Sequence, residues 1–139
     1  MIQEVIKQWD ENKYKLEHYF CTTKQEEYTD SYKTILQKII ELVITNKCNH
    51  YQYDATKITV VDDGDYQGTQ IFLIPTNRYK PNIEDYLITH TYYGSCSGCD
   101  TLMSIKGFSS GYPNGEQVKK YMILALHLVQ KMQRISDND

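Results

Sequence analysis

The apolar side chains between positions 32 and 43 recur every three or four residues, which constrains this stretch to an amphipathic helix. The residues of this stripe are Tyr32, Ile35, Leu36, Ile39, Ile40 and Val43. Thr29, Asp30 and Ser31 precede it, and side-chain oxygens of these types are preferred at helix N-caps. The pattern predicts a helix that begins after this cluster and ends around Asn46–Asn49.

Two further stretches show helical spacing. Apolar residues recur from Ile2 to Phe20, and Cys21–Thr23 ends the pattern. Asn12 and Lys13 interrupt this first stripe, so the pattern fits either one long helix or two short ones. A last helix is predicted from Glu116 to Ile135. Its apolar stripe is formed by Val118, Tyr121, Met122, Ala125, Leu128, Val129 and Met132.

The middle of the chain has the composition of β-strands joined by turns. Lys57–Val61 and Thr69–Ile74 are rich in β-branched residues, and Asp62–Gly68 between them has the residues of a turn. Tyr86–Tyr93 alternates two faces and predicts a third strand. Residues 100–106 fit either a short helix or a fourth strand.

The order of these elements defines an α+β fold for residues 1–139 as a single domain. Strands that follow one another through short loops pair antiparallel. We therefore expect a three- to four-stranded antiparallel sheet, covered on one face by two N-terminal helices and one C-terminal helix.

Composition excludes several classes of protein. A net charge of -3 argues against general nucleic-acid binding, which needs a basic surface. The chain shows neither a secretory signal nor an apolar run of membrane-spanning length, so we expect a cytoplasmic protein without membrane association. In that compartment the four cysteines are expected as thiols or metal ligands and not as two disulfides.

The stretch Tyr92–Asp100 combines glycines, serines, cysteines and an aspartate directly after the third predicted strand. Gly94 and Gly98 give the backbone freedom for successive amides to converge on an anion, and a helix starting near Ser97 would add its dipole. The alternative is a tight turn with a serine cap and two small thiols.

The cysteines allow two other interpretations. Cys96 and Cys99 form a C-x-x-C pair, which Cys48 and His50 could complete as a structural zinc site, although a second C-x-x-C is missing. A cysteine could also act as a nucleophile with a histidine as its base: His90 lies six residues before Cys96 on the strand that leads into the loop, and His18, His50 and His127 are the other possibilities. Neither pattern is specific enough to predict a bound metal or a catalytic residue, so we expect no cofactor.

Three carboxylates crowd the predicted hairpin turn, at Asp62, Asp63 and Asp65, beside Tyr66. Aspartate is a preferred turn residue, which accounts for part of this excess. We call the residues from Gly94 to Asp100 the Gly94 loop. If the turn and the Gly94 loop share one end of the sheet, we expect their side chains to form one polar pocket. The ligand-binding residues predicted on this basis are Asp62, Asp63, Asp65, Tyr66, Tyr93, Ser95, Cys96, Ser97, Cys99 and Asp100.

The motif D-Y-Q-G at Asp65–Gly68, followed by Y-G-S-C-S-G-C-D at Tyr93–Asp100, resembles a group of small, uncharacterised proteins of bacteriophages and prophages of Gram-positive hosts. The resemblance covers about the middle third of the chain, and the helices do not contribute to it. It implies a small accessory phage protein in the host cytoplasm. Such proteins often block host machinery or sequester a host nucleotide signal.

These observations favour a counter-defence phage protein that binds a small nucleotide-like ligand or a host protein through its two central loops. An activity as an enzyme is less favoured than binding. A zinc-stabilised protein-interaction module and a cysteine- or metal-dependent hydrolase are the alternatives. The sequence leaves the formation of a homo-oligomer open.

Overall fold

A computed structural model describes residues 2–25, 31–47, 50–64, 67–94, 101–106 and 111–135. Within this part of the chain there are four α-helices and four β-strands. The helices are α1 (Ile2–Thr22), α2 (Tyr32–Leu42), α3 (Thr101–Lys106) and α4 (Gly115–Gln130), and the strands are β1 (Thr59–Asp62), β2 (Gly68–Ile74), β3 (Leu87–Tyr93) and β4 (Gln133–Arg134). The predicted α+β class is confirmed.

The strands form one antiparallel sheet in the order β1-β2-β3-β4. Ile71 in the middle of β2 lies opposite Val61 on one side and His90 on the other. β4 contributes only two residues, which pair with Leu87 and Ile88 at the start of β3. The fourth strand therefore comes from the C-terminal segment, and residues 101–106, which the sequence left ambiguous, form a helix.

The predicted C-terminal helix is wrong at its end, because α4 stops at Gln130 and not at Ile135. Beyond Lys131 the chain turns back along β3 as β4, and the Arg134 guanidinium pairs with Asp85 at 3.0 Å. Pairing with a distant strand thus overrides a local pattern that fits a helix. Met132, assigned to the helical stripe, is still buried, since the turn directs it into the same core.

The other helices form largely where the patterns place them. α1 is one continuous helix, which resolves the alternative of two short ones. α2 begins as predicted, with the Ser31 hydroxyl oxygen accepting a hydrogen bond from Lys33 N–H at 3.0 Å. It ends at Leu42, earlier than predicted; the N–H groups of both Val43 and Ile44 donate to Ile39 O and close its last turn.

Two polar residues in the stripe of α1 hold the segment that leaves α2. Asn12, which interrupts the apolar pattern, donates through Nδ2 to Val43 O at 3.2 Å. One turn earlier, the buried Gln8 accepts from Thr45 N–H at 2.6 Å and donates to Thr45 O at 3.1 Å. Buried backbone groups need such partners, so these side chains fix how α1 crosses the end of α2.

The helices pack on one face of the sheet, as expected. Alternate side chains of the two central strands point into the core, among them Phe72, Ile74 and Leu87. On the opposite face Val61 and Ile71 are exposed. α1 also packs along α4, which joins the N-terminal and C-terminal thirds of the chain in one hydrophobic cluster.

Within the described ranges, no helix is both long enough and apolar enough to cross a lipid bilayer.

Candidate functional site

The β1–β2 turn and the end of β3 lie at the same end of the sheet. Gly68, the first residue of β2, pairs with Tyr93, the last residue of β3. On the other side of β2, Asp63 N–H donates to Thr69 O at 3.2 Å and extends the ladder into the turn. The register of β2 therefore places the turn beside the residue from which the Gly94 loop departs.

The side chain of Tyr93 connects the two segments directly. It reaches across Gly68, and its hydroxyl lies 2.5 Å from Asp62 Oδ1 and 2.8 Å from Gly64 O. Because a phenol has one hydrogen, it donates to one of these acceptors at a time, and the ionised carboxylate is the stronger acceptor. This contact fixes the β1–β2 turn to the end of β3.

Both described carboxylates of the turn also shape its backbone. Asp62 Oδ1 accepts from Gly64 N–H at 3.0 Å, which is the hydrogen bond of an Asx turn, and Asp62 Oδ2 accepts from Gln70 Nε2 at 3.2 Å. Asp63 Oδ1 accepts from Thr69 N–H at 2.7 Å. Asp62 and Asp63 therefore act as turn formers, and each holds a backbone amide at one end of the turn.

Glycine is required at position 64 because the backbone at Gln67 passes very close to it. A Cβ atom at this position would overlap the carbonyl oxygen of Gln67, and one at Gly68 would lie 2.5 Å from Asp63 Oδ1. The same packing brings the Gly64 carbonyl within reach of the Tyr93 hydroxyl. The glycines thus belong to the geometry that joins turn and strand.

These contacts keep Asp62 ionised. The hydroxyl of Tyr93 is the main group that lowers the pKa of Asp62 below its usual value, with smaller contributions from Gly64 N–H and Gln70. Asp62 is exposed to solvent, and the lone pair of Oδ2 that Gln70 does not use can accept a hydrogen bond from a donor outside the chain.

Of the ten predicted binding residues, the structure places Asp62, Asp63 and Tyr93, and it brings these three together. Gly94, which follows Tyr93, is buried. The role of the whole set in binding stays a prediction. The other seven residues lie outside the described ranges: Asp65, Tyr66, Ser95, Cys96, Ser97, Cys99 and Asp100.

The zinc site and the cysteine nucleophile stay predictions. Cys21 is an exposed free thiol on α1. Cys48, Cys96 and Cys99 lie outside the described part of the chain, so their proximity to His50 or His90 is not shown. Across the residues that are described, no group of three or more His, Cys, Asp or Glu side chains could hold a metal ion.

Sequence reasoning missed a cleft beside this end of the sheet, between β3 and α4. It has a volume of about 170 Å³ and is lined by Thr91, Tyr92, Thr101, Leu124, His127, Leu128 and Lys131. His127 and Lys131 are four residues apart and lie on one side of α4, a spacing visible in the sequence. Their position opposite β3 depends on tertiary packing, so their spacing alone does not link them to that strand.

Comparisons of the chain with protein-family models, curated proteins and solved structures found no match.

Replacing Tyr93 by Phe should raise the pKa of Asp62 toward its ordinary value of 3.8, since the hydroxyl is the largest cause of the shift. The test is a pH titration of the Asp62 carboxyl carbon by NMR in both proteins. Tyr79→Phe is a matched control: it removes the same hydroxyl from a tyrosine that is 94% exposed. An Asp62 pKa that Tyr93→Phe leaves unchanged would show that the contact is absent in solution.

Proposed function

We propose that this chain is a phage accessory protein that acts in counter-defence by binding a small nucleotide-like ligand in the host cytoplasm. The ligand binds at the end of the sheet that carries the β1–β2 turn and the Gly94 loop. The observation that carries the proposal is the hydrogen bond from Tyr93 to Asp62. It joins the β1–β2 turn and the end of β3, which are distant in sequence, into one surface.

The rigidity of this surface supports a binding role. Asp62 and Asp63 both hold the turn through backbone amides, and Tyr93 fixes the turn to β3. A site whose groups are fixed before the ligand arrives loses less conformational freedom on binding. A turn that served only to reverse the chain would not need a tyrosine from a third strand.

The chemistry of the surface fits the polar part of a nucleoside. The ionised, exposed carboxylate of Asp62 can accept one further hydrogen bond, from a ribose hydroxyl or from an exocyclic amino group. The Tyr93 ring packs partly against the hydrophobic core, and its exposed part offers an apolar flank to a base. The resemblance to phage proteins adds the biological context, in which sequestration of a host nucleotide signal is a recurring strategy.

Release of the bound ligand tests this function. The protein is purified from a bacterial cytoplasm without denaturation and heated, and the released small molecules are identified by mass spectrometry. We expect a nucleotide in an amount comparable to that of the protein. A retained ligand should also raise the melting temperature when added back, because it binds the folded state only.

Two results together would overturn the proposal. They are the absence of any nucleotide in the released fraction, and no change in melting temperature with nucleoside mono-, di- and triphosphates or cyclic nucleotides. Co-purification of a stoichiometric host protein without a nucleotide would assign the same surface to a protein partner and contradict the ligand proposed here.

A further inference from the structure

The cleft between β3 and α4 exists because β4 covers only the beginning of β3. β4 pairs with Leu87 and Ile88, and no described strand continues along the remaining five residues of β3. α4 passes beside this open edge and is fixed to it by a hydrogen bond from Thr89 Oγ1 to Leu128 O at 2.7 Å. The side walls of the cleft are therefore a strand edge and a helix.

Backbone donors of β3 point toward this edge. Ile135 N–H donates to Tyr86 O at 3.0 Å, which places the backbone groups of Tyr86 on the β4 side. In an antiparallel ladder alternate residues point to the same side, so the N–H groups of His90 and Tyr92 are directed to the same edge. They lie beyond the two residues that β4 covers.

Among the described residues that line the cleft, the side chains that can carry charge are basic. His127 lines it from α4 and Lys131 from the C-cap position that follows α4, while His90 lies nearby on β3. Burial is the main cause that lowers the pKa of His90, and the positive charge of Lys131 is the second. The Lys131 ammonium therefore lies close enough to the His90 ring to interact with it electrostatically. No described carboxylate lines the cleft.

Lys131 differs from the paired cations of the chain. Among the described residues, Lys13, Lys38, Lys119 and Arg134 each have a carboxylate within 4.0 Å. Lys131 is half-buried and forms no ion pair with a described residue, and burial lowers its pKa. A partly desolvated ammonium without a counter-charge is an unfavourable arrangement that an anion would relieve.

We propose that this cleft is a phosphate-binding subsite in which Lys131 supplies the positive charge and the His127 ring donates a hydrogen bond. The Thr101 hydroxyl and the edge N–H groups of His90 and Tyr92 are the additional hydrogen-bond donors. The Leu128 carbonyl, which belongs to the negative end of α4, is already engaged by Thr89 and does not oppose the anion as a free acceptor. The inference rests on the proposed function in one respect, namely that the phosphate belongs to the nucleotide-like ligand.

Titration with inorganic phosphate tests the subsite without the nucleotide. Ring signals of His90 and His127 are followed by NMR at constant pH and ionic strength, with sodium chloride as the reference salt. We expect both histidines to shift in a saturable way with phosphate. In Lys131→Met the affinity should fall at least tenfold, while the melting temperature stays within a few degrees of the wild type.

Lys120→Met is the matched control, because Lys120 lies exposed on the same helix and its loss changes the net charge equally. It should bind phosphate as the wild type does. His127→Gln, a change at an exposed position, provides a second test if Lys131→Met does not fold. Equal affinity in Lys131→Met and Lys120→Met, or no saturable shift in the wild type, would overturn the subsite.

Nucleotides and nucleosides separate this inference from the proposed function. If phosphate binds in a Lys131-dependent way but no nucleotide binds, the subsite is correct and the proposed function is wrong. If a nucleotide binds with the same affinity to wild type and Lys131→Met, the function holds and its phosphate does not occupy this cleft. A nucleoside that binds as tightly as its monophosphate would also exclude the cleft as the phosphate site.

Discussion

Ile39→Asp is expected to abolish folding. Ile39 lies in the middle of α2 with 0% of its surface exposed, inside the hydrophobic cluster that joins the helices to the sheet. Burying a carboxylate there without a partner costs several kcal/mol, comparable with a total stability of about 5–15 kcal/mol for a domain of this kind. Circular dichroism should show no cooperative thermal transition.

The same substitution at an exposed helical isoleucine provides the control. Ile123 lies on α4 with 53% of its surface exposed, so Ile123→Asp introduces the same carboxylate into water. It should retain a cooperative transition near the wild-type temperature. If Ile39→Asp also melted at the wild-type temperature, the stripe of α2 would not be the core that the structure describes.

Tyr121→Ala should cost about 3–5 kcal/mol, the range for truncating a large buried aromatic side chain. Tyr121 is 0% exposed on α4, and its ring stacks on that of Phe20 of α1 at 5.3 Å between centroids. Its hydroxyl donates to Gln25 Oε1 at 2.7 Å. This residue therefore holds the N-terminal helix to α4, and denaturant unfolding measures the loss.

A second variant at Tyr121 separates the contribution of its hydroxyl to stability from that of its ring, and an exposed tyrosine provides the control. Tyr121→Phe removes only the hydroxyl and should cost about 1–2 kcal/mol, since it leaves a buried acceptor without this donor. Tyr112→Ala truncates a tyrosine that is 60% exposed and should change the unfolding free energy by less than about 0.5 kcal/mol. Equal stability of Tyr121→Ala and Tyr112→Ala would show that α1 and α4 do not pack through this ring.

The start and the buried face of α2 were predictable because their signals are local. The stripe from Tyr32 to Ile40 is buried as its period requires, and Ser31 caps it. The end of the last helix was not predictable, because Gln133 and Arg134 become a strand only by pairing with Ile88 and Leu87. A two-residue strand has no period of its own, so its partner alone determines it.

Polar residues within apolar patterns show a second limit of prediction from the sequence. Asn12 and Lys13 left open whether the first stripe is one helix or two; α1 is continuous there, and the Asn12 amide donates to the Val43 carbonyl, 31 residues away. The sequence contains the amide but not the identity of that partner. For the same reason Lys131 and His127 could not be assigned to a cleft from their spacing alone.

For the candidate site, too, the location was predictable from the sequence and the side-chain contacts were not. The sequence indicated that Asp62, Asp63 and Tyr93 share one end of the sheet, since consecutive antiparallel strands bring alternate loops together. It did not indicate that the Tyr93 hydroxyl contacts Asp62 and Gly64. That contact depends on the register Gly68–Tyr93, which the length of the loops left open.

The central claim is that the turn and the Gly94 loop form one binding surface, and one comparison tests it most directly. Asp65→Ala alters the turn and Ser95→Ala alters the loop, and substitutions at such positions should cost less than about 0.5 kcal/mol of stability. The nucleotide released from the wild type is titrated into both variants and into the control Tyr79→Phe. We expect both alanine variants to bind it at least tenfold more weakly and the control to bind as the wild type does. A wild-type affinity in Asp65→Ala together with lost binding in Ser95→Ala would contradict a shared surface and leave the acidic turn with a purely structural role.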